Sequence, residues 1–127
     1  MKVLITGATG YLGPHVAKAL APHHQLLLSD IKPPQRDPGH EFRVVDVSSL
    51  EEVMRASEGM DAIVNCSVVR QGDRPSFGVN VGGCWNIMTA AVKHGIRRVI
   101  NTGPHFTIAG PSYEAFDSDI SDRKSVV

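Results

Sequence analysis

This 127-residue chain has little cysteine, no net charge and no long hydrophobic run, and each shortage excludes a class of protein. Its 13 basic residues equal its 13 acidic residues, so the excess charge that attracts nucleic acid or an anionic membrane is missing. No apolar run approaches the roughly 20 residues of a membrane-spanning helix, and Thr6-Gly7 interrupts the first run before a signal-peptide core forms. The two cysteines, Cys66 and Cys84, favour buried free thiols in a reducing compartment over a disulfide. We therefore expect a single-domain cytoplasmic protein with neither a nucleic-acid nor a membrane partner.

The most informative feature that is present is a glycine-rich segment near the start. It reads Ile5-Thr6-Gly7-Ala8-Thr9-Gly10-Tyr11-Leu12-Gly13, after a short apolar run and before a helical pattern. Strand, glycine-rich turn and helix together bind the pyrophosphate of a dinucleotide, because glycine lets phosphate approach the backbone and a helix start offers free N–H groups. No Gly-Lys-Ser/Thr follows, which excludes a P-loop. Glycine spacing alone is a weak signal, and an ordinary strand-to-helix turn is the alternative.

Short apolar segments alternate with helical patterns along the chain, which predicts an α/β fold with a parallel sheet covered on both faces. The predicted strands are Lys2–Thr6, Gln25–Ser29, Phe42–Val45, Ala62–Ser67 and Arg98–Thr102. The predicted helices are Leu12–Ala21, Leu50–Ser57 and Val79–His94. Right-handed crossovers favour a doubly wound sheet with strand order 3-2-1-4-5.

Local signals add detail to this arrangement. Ser48 is the expected N-cap of the second helix, with Glu51 reaching back in a capping box. The proline-rich segment Lys32–His40 predicts a connector without a long helix. Gly82-Gly83 conflicts with a helix and predicts close packing against another backbone or a cofactor. Four large apolar residues at helical spacing predict a core-facing stripe on the last helix. They are Val81, Trp85, Met88 and Val92.

Acidic residues follow two of the predicted strands. Asp30 lies 17 residues after Gly13, at the end of strand 2. A carboxylate there accepts hydrogen bonds from the adenosine ribose and repels a 2′-phosphate, which favours NAD over NADP. Lys32 and Arg36 follow closely and partly offset that repulsion. Asp46 closes strand 3, where it either accepts from the adenine amino group or begins the loop.

Several blocks in this order resemble the extended short-chain dehydrogenase/reductase family, the NAD-dependent epimerases and dehydratases, from Met1 to about Gly110. The blocks are Thr6-Gly7-x-x-Gly10-x-x-Gly13, Asp46-Val47, Asp61-Ala62-Ile63-Val64-Asn65-Cys66-Ser67, Asn80-Val81-x-Gly83-x-x-Asn86 and Gly95-Ile96-x-Arg98-Val99-Ile100. The resemblance implies a Rossmann-type fold, and it accounts for Gly83 within a helix. For Asp46, the resemblance favours a contact with adenine over a role in beginning the loop.

The resemblance also implies a function. Hydride would pass between a substrate carbon and the nicotinamide of NAD, with NADP the less favoured cofactor, a small-molecule substrate such as a nucleotide-sugar, and a homodimeric parent enzyme. No metal is implied. The implied cofactor-binding residues are Gly7, Thr9, Gly10, Tyr11, Leu12, Gly13, Asp30, Ile31, Asp46, Val47, Cys66, Ser67, Val68 and Asn80.

The chain departs from the family where catalysis is concerned. The Tyr-x-x-x-Lys pair is absent, since the only tyrosines, Tyr11 and Tyr113, lack a lysine four residues later. Thr102 or Thr107 could replace the serine or threonine that orients the substrate carbonyl, yet neither aligns cleanly, and His105 is a weak candidate for a general base. The catalytic residues are therefore unassigned.

The simplest interpretation of these departures is an N-terminal piece of a longer enzyme, truncated after about strand 5. Residues 1–110 would form an incomplete NAD(P)-binding domain, and residues 111–127 a loose polar tail. The alternatives are a non-catalytic NAD(P)-sensing module and a truncated fragment with no activity of its own.

Overall fold

Five parallel strands form one sheet in the order 3-2-1-4-5, as predicted. The computed structural model describes residues 1–69 and 73–103. The strands are β1 (Lys2–Thr6), β2 (Gln25–Asp30), β3 (Glu41–Val44), β4 (Ala62–Asn65) and β5 (Arg98–Asn101). The helices are α1 (Gly13–Leu20), α2 (Leu50–Ser57), α3 (Asp73–Phe77) and α4 (Cys84–His94), with a π-helical segment at Gly78–Gly83. The expected Rossmann-type α/β fold is confirmed.

The two faces of the sheet carry separate cores, which is why the central strands are apolar at successive positions. On one face Leu4, Leu27 and Ile63 pack with residues of α2 and α4. On the other face Ile5 and Val64 pack with residues of α1. Within the described ranges the edge strands are β3 and β5, and both are largely exposed. The sheet is therefore covered on both sides at its centre, where β1 lies between β2 and β4.

Helix ends follow local chemistry, with one correction. Pro14 lies in the first turn of α1, where its missing N–H is tolerated. Gly95 ends α4 in the left-handed conformation with φ of 69°, as the predicted helix stop requires. The cap of α2 was predicted one residue too early. Ser49, not Ser48, accepts from the backbone N–H of Glu52 at 3.4 Å.

The predicted helix Val79–His94 is divided in the structure. Its first part is the π-helical segment, and regular α-helix begins only at Cys84. A methyl group at Gly83 would lie 2.8 Å from a side-chain methyl of Val47, so this glycine permits close packing. The close packing predicted for Gly82-Gly83 therefore occurs at Gly83, where the nearest neighbour is a side chain. The short helix α3 was not predicted.

The apolar stripe predicted to face the core faces outward instead, so this prediction was wrong. All four of its residues are exposed, Trp85 to 72% and Val92 to 81%. The helix instead buries Ile87, Ala90 and Ala91 in the core that it shares with α2 and the sheet. Both sides of α4 are apolar in sequence, and the side that carries Ile87 and the two alanines is the one that packs in the core.

Other predictions have mixed outcomes. Strands β3 and β4 end at Val44 and Asn65, earlier than predicted, and no helix interrupts residues 32–40. Both cysteines are free thiols, Cys66 buried and Cys84 partly so. Across the described residues no helix is long and apolar enough to cross a membrane. The predicted tail, residues 111–127, lies outside the described ranges, and the division at residue 110 stays a prediction.

Candidate functional site

The glycine-rich loop leaves the carboxyl end of β1, at the centre of the sheet, where the strand order reverses. Gly7 has a φ of 68°, and a methyl group there would lie 2.6 Å from the carbonyl carbon of Cys66. A methyl group at Gly13 would overlap the carbonyl oxygen of Gly7 and lie 2.6 Å from the Cα of Ala8. Backbone atoms cannot retreat as a side chain can, so the fold itself requires these two glycines.

Gly10 differs from the other two glycines of the motif. A methyl group there would meet only the Gly7 carbonyl oxygen, at 3.2 Å, and the φ of Gly10 is not positive. Packing therefore constrains this position less than it constrains Gly7 and Gly13. The loop leads directly into α1, where the N–H groups of Tyr11, Leu12 and Gly13 have no intrahelical acceptor. An exposed glycine beside free N–H groups at a helix start fits a pyrophosphate, which needs close approach to the backbone.

Asp30 ends β2 beside this loop, as the sequence predicted. One oxygen of its carboxylate, Oδ2, accepts from the backbone N–H of Thr9 at 2.9 Å and from the Thr9 hydroxyl at 2.8 Å. The other oxygen, Oδ1, accepts from the N–H of Ile31 at 2.7 Å. The contact joins two predicted site residues that are 21 positions apart. It places the carboxylate next to the exposed glycine of the loop.

Asp46 lies two residues beyond β3, in the next loop along the same edge. Its Oδ1 accepts from both the backbone N–H and the hydroxyl of Ser48, at 2.8 and 2.7 Å. The backbone N–H of Asp46 donates to the carboxylate of Glu52 in α2 at 2.8 Å. The two interpretations left open for Asp46 are therefore compatible, because one oxygen organises the loop while the other can accept from a ligand. Val47, which follows, is buried.

A polar row crosses the carboxyl ends of β1, β4 and β5. The buried Asn65 accepts from the Thr6 hydroxyl at 2.6 Å and from the N–H of Ser67 at 3.1 Å. Its amide nitrogen donates to the Asn101 side chain at 2.6 Å. Because the N–H of Ser67 can only donate, the orientation of the Asn65 amide is fixed. The row holds the loop after β4 against the glycine loop.

The residues that follow β4 form a loop beside the glycine-rich loop. The N–H of Cys66 donates to the carbonyl of Thr6 at 3.0 Å, and the Cys66 side chain is buried. Burial raises the pKa of the Cys66 thiol, so the group stays protonated and is a poor nucleophile. Ser67 is partly exposed and Val68 is exposed, at the position where the resemblance implies the nicotinamide-side ribose.

The motif Asn80-x-x-Gly83-x-x-Asn86 braces two loops of this edge at once. The Asn80 amide exchanges two hydrogen bonds with the backbone of Val69, at 3.0 and 2.8 Å. The Asn86 amide donates to the carbonyl of Val47 at 2.9 Å. Together with the Gly83 contact, these bonds fix the loops after β3 and β4 to one helical segment. Asn80 thus has a supporting role in addition to its predicted place at the cofactor.

Thr102, the catalytic candidate, lies just after β5. Its N–H and its hydroxyl both donate to the carbonyl of Asn65, at 3.1 and 2.9 Å. The hydroxyl proton is therefore engaged within the sheet edge, which weakens the case for Thr102 as a donor to a substrate. The other candidates, Thr107 and His105, lie outside the described residues, as does Tyr113.

The predicted cofactor residues converge on one edge of the sheet. They occupy the loops that follow β1, β2, β3 and β4, together with Asn80, which braces one of those loops. Sequence reasoning missed Asn65, Ser48, Glu52 and Asn86 as supporting residues. Asn65 and Asn86 stood within quoted motifs, whereas Ser48 and Glu52 support the site through short-range bonds to Asp46. Among the described residues no cluster of His, Cys, Asp and Glu could hold a metal.

Comparison with known proteins identifies the family. The model of the NAD dependent epimerase/dehydratase family matches residues 3–122. The chain belongs to this family. The predicted resemblance is thereby confirmed.

Two uronate dehydrogenases support this placement. Uronate dehydrogenase of Pseudomonas syringae pv. tomato is 38% identical over 105 residues, which are 78% of this chain and 38% of that protein. Uronate dehydrogenase of Pseudomonas putida is 33% identical over 112 residues, 84% of this chain and 42% of that protein. The chain spans about two fifths of the length of these relatives.

A solved structure agrees with the fold. A mutant uronate dehydrogenase of Agrobacterium tumefaciens, complexed with NAD, superposes with a TM-score of 0.73 at 28% identity. The match covers 80% of this chain and 40% of that one.

Proposed function

We propose that this chain binds NAD along the carboxyl edge of its sheet and serves as the cofactor-binding part of an oxidoreductase. The observation that carries the proposal is Gly10, an exposed glycine that packing constrains less than the other two glycines of the motif. It follows Thr9, whose N–H donates to the Asp30 carboxylate, and it precedes the start of α1. Pyrophosphate at this loop, ribose at Asp30 and adenine at Asp46 follow the order of the strands outward from β1.

Binding at this edge would extend to the loop after β4. The nicotinamide half would lie over Cys66, Ser67 and Val68, across the crevice from Asp30. NAD, when bound, supplies the hydride chemistry, and the chain's own residues bind and orient it. The Asp30 carboxylate supports NAD over NADP, because the 2′-phosphate would bring negative charge against it. The family's description as NAD dependent agrees with this choice.

The substrate belongs to the whole protein. We infer a small molecule whose carbon exchanges hydride with the nicotinamide, and the named relatives favour a uronate-type sugar acid over a nucleotide-sugar. This 127-residue chain has no Tyr-x-x-x-Lys pair. We therefore expect it to bind cofactor without turnover. A non-catalytic sensing module would also bind without turnover, and the two differ only in whether the pair occurs in a longer gene product.

The proposal is tested by thermal unfolding of the purified chain with NAD and with NADP. A ligand that binds only the folded state raises the melting temperature. At a ligand concentration of 100 times the dissociation constant, the free energy of unfolding increases by about 2.7 kcal/mol. We expect a clear rise with NAD and little with NADP. A cooperatively unfolding chain with no rise for either dinucleotide would contradict the proposal and favour an inactive fragment.

Matched glycine variants locate the binding. Gly10→Ala adds a methyl group where the pyrophosphate would approach, so the rise with NAD should disappear while the unliganded melting temperature hardly changes. Gly82→Ala is the control, since its added methyl group meets nothing closer than 3.9 Å and lies in the π-helical segment. Equal NAD responses in both variants would mean that the glycine loop is not the site.

A further inference from the structure

We propose that Thr9 is a positioning residue that fixes the Asp30 carboxylate toward the ribose and so sets the preference for NAD over NADP. The inference rests on the proposed function and adds a specificity-determining residue to it. The Thr9 side chain does this through Asp30 and not by contact with phosphate.

Both donors of Thr9 point at a single carboxylate oxygen. Its N–H and hydroxyl reach Asp30 Oδ2 at 2.9 and 2.8 Å, and the N–H of Ile31 reaches Oδ1 at 2.7 Å. The loop is held beside β2 by a further bond, from the N–H of Ala8 to the carbonyl of Ser29 at 2.9 Å. Thr9 therefore cannot move away from Asp30 unless the loop leaves β2.

The bonds determine which part of the carboxylate remains for a ligand. An ionised carboxylate has about four acceptor positions on its two oxygens, and three are occupied here. The remaining position is on Oδ1, where a ribose hydroxyl can donate. A 2′-phosphate brings oxygens that only accept, so it finds no donor on Asp30. Because Thr9 prevents the carboxylate from turning away, the repulsion cannot be relieved.

The identity of the side chain suits this task. The β-branch of threonine restricts rotation about χ1, which favours one direction for the hydroxyl. Thr9 is exposed, so removing its hydroxyl leaves no cavity in the core. Thr9→Val keeps the shape and the N–H donor and loses only the hydroxyl. Thr9→Ser keeps the hydroxyl and loses the methyl group.

The experiment measures dissociation constants for NAD and NADP by titration calorimetry on the 127-residue chain and its variants. Thr9→Val should weaken NAD binding by about tenfold while the NADP constant changes by less than about twofold, so that the preference falls about tenfold. Thr9→Ser should retain most of the preference. Thr89→Val is the matched control, because the Thr89 hydroxyl donates to the Trp85 carbonyl within α4.

The outcomes separate the two proposals. Suppose that the original chain prefers NAD and that Thr9→Val has the same ratio of NADP to NAD dissociation constants, whether or not both affinities fall. The role of Thr9 is then refuted, and the proposed binding site stands. If the original chain binds neither dinucleotide, the proposed function fails and the role of Thr9 fails with it. A loss of preference in Thr9→Val that Thr9→Ser restores supports the inference.

Discussion

The three glycines of the motif should respond differently to alanine, because an added methyl group would come within 3.0 Å of backbone atoms at Gly7 and Gly13 but not at Gly10. At Gly13 the added methyl group would overlap the carbonyl oxygen of Gly7 and press on the Cα of Ala8. Relief requires the loop to shift away from α1, and we expect a loss of about 3 kcal/mol in the free energy of unfolding. In a chain of this size that corresponds to a fall of about 10 °C in melting temperature.

At Gly10 the same change should cost less than about 1 kcal/mol. The single neighbour, the backbone carbonyl oxygen of Gly7 at 3.2 Å, has to shift by only a few tenths of an ångström, and alanine restricts the unfolded chain, which offsets part of the cost. Gly82→Ala, with its nearest neighbour at 3.9 Å, should be neutral or stabilising by up to about 1 kcal/mol. The order of stability is therefore Gly82→Ala, then Gly10→Ala, then Gly13→Ala.

Urea unfolding followed by circular dichroism, without ligand, measures all three variants on one scale. An equal loss of stability in Gly10→Ala and Gly13→Ala would contradict this prediction. Packing would then require glycine at position 10 as much as at position 13, and Gly10 would no longer indicate a bound ligand. Equal denaturant slopes in the three variants would verify that they share the same folded state.

Three other predictions concern the surroundings of the site. Asn86→Leu should lower the free energy of unfolding in urea by about 2 kcal/mol, because the Val47 carbonyl loses its buried donor. The same change should weaken NAD binding. An unchanged affinity would show that the Asn86 bond does not support the site. Burial raises the pKa of the Cys66 thiol, so the folded chain keeps a proton that the unfolded chain releases above about pH 8.5; stability should fall as the pH rises past that value, by up to about 1.4 kcal/mol per unit. Urea unfolding between pH 7.5 and 9.5 should show this slope lessened in Cys66→Ala, and an equal slope in both proteins would contradict it. Trp85, the only tryptophan, should emit like an indole in water and be quenched readily by acrylamide, whereas blue-shifted emission would mean that another surface covers α4.

The sequence predicted those features that depend on neighbouring residues or on the alternation of strands and helices along the chain. Strand order followed from strand and helix alternating along the chain, and the glycine loop from its position between β1 and α1. Asp30 was found by its place after a strand. These signals are local, so no knowledge of distant contacts was needed.

The sequence did not reveal contacts between distant segments. The bond from Asn86 to Val47 spans 39 positions, and the bond from Asn65 to Asn101 spans 36. The outward direction of Trp85 depended on which apolar side of α4 the helix α2 would contact. The capping error at Ser48 arose because two adjacent serines precede α2; Ser48 bonds the Asp46 carboxylate, and Ser49 caps the helix.

The brace formed by Asn80, Gly83 and Asn86 has a consequence for how the protein opens. The loops after β3 and β4 are far apart in sequence, yet both are tied to one continuous helical segment. A fluctuation that lifts this segment from the sheet would release both loops together. Hydrogen exchange at their backbone amides should therefore follow a common opening reaction. The loops after β3 and β4 would then become ordered and disordered together, as one cooperative unit.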